Sequence, residues 1–215
     1  MKVCIFIDGF NLYHALDGNP AYHRYKWLDV SKMAKLFLPS NDELQKVYHF
    51  TAYPTWMADK TIRHKLYVQA LKSTGVEIVL GAFRRRDLFC HADCKKRFQK
   101  WDEKETDVNI AVKLFQSAVR DEYDKAYIIS GDSDLIPAIR AVKETFPAKQ
   151  IGIIIPIGRP AELLKNVADF HMKMKEIHLQ TSQFPDPLIL SPTTSLSRPL
   201  KWGPPILHVI PPAAP

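Results

Sequence analysis

Cysteines, long apolar runs and a leader-like start are all scarce or missing in this chain, and each shortage closes off a class of protein. Only Cys4, Cys90 and Cys94 occur in 215 residues, too few for a disulfide framework at this size, so a reducing compartment is expected. No apolar run approaches the roughly 20 residues that a bilayer-spanning helix needs. After Met1 and Lys2 there are five apolar residues before Asp8 interrupts, which is no signal-peptide core. A soluble, cytoplasmic protein with no membrane partner is the expectation. Acidic charge is also in deficit: 30 Lys and Arg stand against 23 Asp and Glu, a net charge of +7, and that balance suits an anionic partner such as nucleic acid.

What is present reads as one α/β domain over residues 1–180 followed by a tail. Residues 3–7 form an apolar run rich in β-branched side chains, followed at once by Asp8-Gly9-Phe10-Asn11. That pattern marks a strand buried on both faces that ends in a tight turn. Further strands are expected at 46–53, 76–80, 125–130 and 150–155, and helices at 30–38, 59–73, 106–119, 135–142 and 161–170. Pro137 falls in the first turn of its helix, where proline is tolerated. Residues 172–179 fit either a short strand or a helix end. The alternation argues for a parallel sheet covered by helices on both sides. After Phe184 prolines crowd the chain from Pro185 to Pro215. The segment 181–215 therefore reads as an extended or disordered tail, with 206–210 as a candidate docking peptide for a protein partner.

Between the third and fourth strands the pattern breaks into a basic insert at about 83–104. Arg84, Arg85 and Arg86 stand in one run and Lys95, Lys96 and Arg97 in another, with Phe89, Phe98 and Trp101 interleaved. The functional reading is a wall for RNA, and the plain one is a solvated loop. Cys90, His91 and Cys94 invite a zinc reading, but three candidate ligands without a clear fourth make a weak site.

The chemistry concentrates in four aspartates. Asp8 follows the first strand, Asp107 opens the helix before the fourth, and Asp132 and Asp134 follow the fourth. Each has an ordinary explanation as a turn residue, a helix-start charge or a cap. Jointly, at strand ends where open parallel sheets bind ligands, they form an oxygen-rich site suited to Mg²⁺ or Mn²⁺. Two unit charges about 4 Å apart repel by roughly 4 kcal/mol at an effective dielectric of about 20, so a cation between them is expected.

Three stretches, Asp8-Gly9-Phe10-Asn11-Leu12, Thr106-Asp107-Val108-Asn109-Ile110-Ala111 and Ile129-Ser130-Gly131-Asp132-Ser133-Asp134-Leu135, resemble the NYN domain, a branch of the PIN-like nuclease superfamily. The resemblance spans about residues 1–180. It implies a three-layer α/β/α sandwich with strand order 3-2-1-4-5 and a Mg²⁺- or Mn²⁺-dependent ribonuclease site; an endoribonuclease is expected, with single-stranded RNA as substrate because it can thread a charged groove and stack bases on exposed aromatics. Carried over by position, its metal-binding acids are Asp8, Asp107, Asp132 and Asp134, and its amide is Asn11. Many members of that family carry another acid where this chain has Lys113, a cation expected either to weaken metal binding or to reach a substrate phosphate. A catalytically inactive NYN fold that binds RNA or recruits a partner through the proline-rich tail is the alternative. A hydrolase of small phosphorylated molecules is a third reading.

Overall fold

A computed structural model describes residues 1–90 and 95–203. In chain order the strands are β1 (Lys2–Asp8), β2 (Glu43–Thr51), β3 (Glu77–Leu80), β4 (Ala82–Phe89), β5 (Arg97–Lys104), β6 (Lys125–Ile129), β7 (Gln150–Ile155), β8 (Phe170–Lys173), β9 (Leu188–Ser191) and β10 (Thr194–Leu196). The helices are α1 (Gly9–Asp17), α2 (Val30–Lys35), α3 (Ala58–Ser73), α4 (Thr106–Val119), α5 (Ile136–Thr145), α6 (Glu162–Lys165) and α7 (Glu176–Thr181).

β1 lies inside a six-stranded parallel sheet of order β3-β2-β1-β6-β7-β8. Its residues Val3 to Ile7 are wholly buried, and they alternate between two cores. Val3, Ile5 and Ile7 pack with Trp27, Met33 and Leu71 on one face, while Cys4 and Phe6 pack with Ile110, Leu114 and Ile139 on the other. A continuous apolar run is what a strand with helices on both faces requires. The five strands expected from the sequence lie side by side in the expected order, and the difference is a sixth strand, β8, at the edge beyond β7.

That sixth strand opens at Phe170, the last residue of an expected helix. The helical stretch after β7 is confined to α6. Two contacts impose the change. The Ile151 N–H donates to Asp169 Oδ2 at 2.7 Å, and the Phe170 ring lies so close over Gly152 that a Cβ there would be 2.1 Å from it. Residues 172–179 then resolve as both alternatives in succession, the end of β8 and the start of α7.

The basic insert is an antiparallel hairpin of β4 and β5, with Arg85 opposite Trp101 and Arg86 opposite Lys100. The expected tail also differs. Through Gly203 it returns over the domain, forming the β9–β10 hairpin and a 3₁₀ turn at Leu200–Trp202. Buried Trp202 sits 6.2 Å from the Trp27 ring and 5.7 Å from Tyr67, and Trp27 Nε1 donates to Pro185 O at 3.1 Å. Prolines forbid a regular helix here but not this packing. The candidate docking peptide at 206–210 lies outside the described residues, as do His91 and Cys94 of the zinc reading.

Candidate metal centre

β1 and β6 are direct neighbours, with Ile7 opposite Ile129, so their next residues, Asp8 and Ser130, emerge side by side. Asp8 caps α1: its Oδ1 accepts the Asn11 N–H at 2.9 Å. Its Oδ2 accepts the Ser130 hydroxyl at 2.8 Å. Ser130 Oγ in turn accepts the Asp132 N–H at 3.0 Å, and Asp132 Oδ1 caps the next turn by accepting the Asp134 N–H at 3.0 Å. Asn11 Oδ1 holds the same loop by accepting the Gly131 N–H at 3.1 Å. Gly131 passes so near the following loop that a Cβ there would lie 2.8 Å from Pro160 O. The turn after β6 is thus stitched to the turn after β1, residue by residue.

Asp107 arrives from another direction, in the first turn of α4. The chain enters that helix through Glu105, whose φ of 78° is in the left-handed region, a strained position that persists only where surrounding contacts impose it. One such contact comes from Glu103, whose Oε1 accepts the Thr106 N–H at 3.1 Å and also the Thr106 hydroxyl.

Asp107, Asp132 and Asp134 offer carboxylate oxygens that all lie within 4.8 Å of one another. Asp107 and Asp132 are half-buried and Asp134 is exposed. The electrostatics register the crowding. Burial, reinforced by the charges of Asp8, Asp132, Glu103 and Asp134, pushes the Asp107 carboxyl up to about 6. Burial also raises Asp8, against hydrogen bonds from Asn11 and Ser130 that lower it, with Asp132 and Glu103 adding repulsion. A purely carboxylate donor set whose members repel one another fits a hard divalent cation.

The remaining site residues expected from sequence are distributed unevenly around this trio. Asp8 lies outside the trio, 4 % exposed, with both oxygens engaged. Arg84, Arg85 and Arg86 are exposed on β4, where Arg84 pairs with Glu105 at 3.4 Å, Arg85 with Asp87 at 4.0 Å and Arg86 with Asp102 at 3.1 Å. Lys95, Lys96 and Arg97 stand exposed at the far end of that hairpin. Lys113 is not brought to the acids. Its Nζ pairs with Glu77 at 3.2 Å and lies 4.9 Å from the centre of the Tyr48 ring. Glu77 is level with Tyr48 and Phe6, two positions upstream of Asp8 along the sheet. In this arrangement Lys113 points away from the acids it was expected to serve, because its helical phase turns it toward β2 and β3.

The NYN domain family model matches residues 2–175. The chain belongs to the NYN domain family. The chain is also similar to 6-hydroxy-3-succinoylpyridine 3-monooxygenase HspA of Pseudomonas putida (strain DSM 28022 / S16), at 24% identity over 73% of this chain. The match spans 60% of the length of that protein. Among solved structures, a protein of unknown function, VPA0982 from Vibrio parahaemolyticus RIMD 2210633, superposes with a TM-score of 0.55 at 16% identity. It covers 81% of this chain and 93% of its own, a likeness of fold alone. Among the described residues no helix is long and apolar enough to cross a membrane.

Two residues beside the acids, Glu103 and Ser130, were given no role from the sequence. Glu103 was hidden in a segment read for its cations, and no capping pattern points to it, because it precedes Thr106 where the usual signature puts the acid after the cap. Ser130 stood within a quoted motif. Only the β1–β6 pairing shows that its hydroxyl faces Asp8.

Proposed function

We propose that this NYN domain is a divalent-cation-dependent endoribonuclease of the PIN-like class acting on single-stranded RNA. The observation that carries the reading is the trio Asp107, Asp132 and Asp134, gathered within 4.8 Å at the carboxyl ends of parallel strands, where such sheets bind ligands. Family membership supports the same chemistry.

In this reading Asp107, Asp132 and Asp134 hold the cation, which is Mg²⁺ or Mn²⁺ by the hardness of its donors. When bound, the cation supplies Lewis acidity toward a phosphodiester and lowers the pKa of water. Asp8 adds negative charge from behind and fixes the turn that carries Asp132 through Ser130. Asn11 fixes that turn from its other side through Gly131. Asp134, the most exposed of the trio, orients an attacking water in this reading. Arg84, Arg85 and Arg86, with Lys95, Lys96 and Arg97 beyond them, supply cations along the hairpin for a backbone track. A cytoplasmic location and a protein partner for the end of the chain belong to the same proposal.

The name of the Pseudomonas relative brings a different chemistry, oxygenation of a pyridine ring. Non-haem iron oxygenases typically use two histidines and one carboxylate, whereas the trio here consists of three carboxylates. The donor set favours hydrolysis. The test is incubation of end-labelled single-stranded and duplex RNA with the protein in Mn²⁺ and in EDTA. Internal cuts in the single strand that require Mn²⁺ are expected, and intact RNA under all conditions would contradict the reading.

A further inference from the structure

A cavity of about 780 Å³ lies between α1, α3 and the β4–β5 hairpin, and none of the four aspartates lines it. Its size is within the range of small-molecule sites, roughly 300–1,000 Å³. The hairpin side is aromatic. Trp56 stacks on Trp101 with ring centres 4.3 Å apart and planes 2° apart, and Phe83 meets Trp56 edge-on at 4.7 Å. The sheet side is polar and neutral. His49 is 3 % exposed, and its Nδ1 has no hydrogen-bond partner. His64 Nε2 is 3.0 Å from Thr51 Oγ1. Burial holds both imidazoles neutral, pushing His49 down to about 3 and His64 to about 4. Lys60 and Arg63, three residues apart on α3, and Lys201 of the C-terminal return add positive charge to the lining. Among the described residues none of these three cations pairs with a carboxylate.

Each wall selects a different part of one ligand. Aromatic side chains offer a planar ring a stacking partner. A neutral imidazole offers a hydrogen-bonding partner to the polar edge of a heterocycle. Unpaired Lys and Arg answer an anion. We propose that this cavity is a nucleotide subsite, taking a nucleobase between the hairpin aromatics and His49, with its phosphate at Lys60 and Arg63. This rests on the nuclease reading only for where the nucleotide comes from. Glu103 lines the cavity while its Oε1 accepts the N–H of Thr106, the neighbour of Asp107, so a base held there would suit RNA lying against the acids. The same chemistry would also accept a free nucleotide.

Calorimetric titration in EDTA tests the subsite without the cation and without cleavage. The probes are uridine 5′-monophosphate, adenosine 5′-monophosphate, uridine, ribose 5-phosphate and a short oligouridylate. The expected result is saturable binding of a monophosphate, with uridine weaker by about tenfold for want of the charged contact and ribose 5-phosphate weaker still. Arg63→Gln, a change on a half-exposed helical residue, should weaken the monophosphate by about tenfold and leave uridine unchanged. An oligouridylate that binds tighter than the monophosphate identifies an RNA strand as the source. Equal or weaker oligouridylate binding identifies a free nucleotide. Ribose 5-phosphate binding as well as the nucleotides, or no nucleotide binding, would overturn the proposal, whatever the outcome of the cleavage assay.

Discussion

The Ser130 hydroxyl donates to Asp8 Oδ2 at 2.8 Å, joining residues 122 positions apart in the chain. Ser130 Oγ also receives the Asp132 N–H at 3.0 Å, so one buried oxygen sets the distance between the end of β1 and the loop bearing two of the three clustered acids. Ser130→Ala leaves a buried carboxylate oxygen and a backbone N–H without that partner, a loss of about 1–3 kcal/mol. The expected outcome is a lower denaturation midpoint together with weaker Mn²⁺ binding. A variant that loses stability but binds Mn²⁺ normally would show that the link holds the fold and not the trio.

The pH dependence follows from Asp107. Its carboxyl, at about 6 in the folded chain, starts from an ordinary value of 3.8. Between those values the native state holds a proton that the unfolded chain has released, so metal-free stability falls as pH rises from about 4 to about 6. Raised Asp8 acts in the same direction. Mn²⁺ must displace that proton, so its apparent affinity should fall by about tenfold per pH unit below about 6. Titrations of Mn²⁺ across that interval check this, and a flat affinity would remove Asp107 from the binding set.

The hairpin arginines are exposed but already paired within their own hairpin and its exit turn. Replacing Arg84, Arg85 and Arg86 by Ala should weaken RNA binding and reduce the slope of log affinity against log salt by about 0.7 for each phosphate that is no longer neutralised. An unchanged slope would mean that these ion pairs persist in the complex and that Lys95, Lys96 and Arg97 meet the RNA backbone instead.

Lys113 serves as the contrast. Its partner is Glu77, in an ion pair open to solvent, so Lys113→Gln should cost less than about 1 kcal/mol. Mn²⁺ and RNA affinities measured on this variant should match those of the parent chain. A clear loss of RNA affinity would show that the pair with Glu77 opens and that Lys113 swings toward the substrate.

The parts that local pattern decides were legible in the sequence. The run from Val3 to Ile7 can only be a strand covered on both sides, and an acid placed just after it must emerge at the sheet's carboxyl edge. The same logic placed Asp132 and Asp134 after β6, and helical periodicity placed Asp107. What local pattern could not supply was pairing at a distance. Arg84 to Arg86 show no alternation of apolar and polar residues, so the strand became visible only through its partner, with Trp101 opposite Arg85. Proline marked the segment after Phe184 as irregular, yet Trp202 is buried against Trp27 from the beginning of the chain. Lys113 was placed by counting residues from Asp107, while its actual position depends on Glu77 of a neighbouring strand.

The central claim is that the trio binds a cation for RNA cleavage. Its most direct test is Asp132→Asn assayed on labelled single-stranded RNA in saturating Mn²⁺. Removing one charge from a crowded carboxylate cluster leaves the metal-free fold at least as stable, because mutual repulsion falls. The account predicts complete loss of Mn²⁺-dependent cutting with an unchanged or higher melting temperature in EDTA. Cutting retained at the parent rate, in a protein that melts several degrees lower without metal, would contradict it and make Asp132 a structural residue.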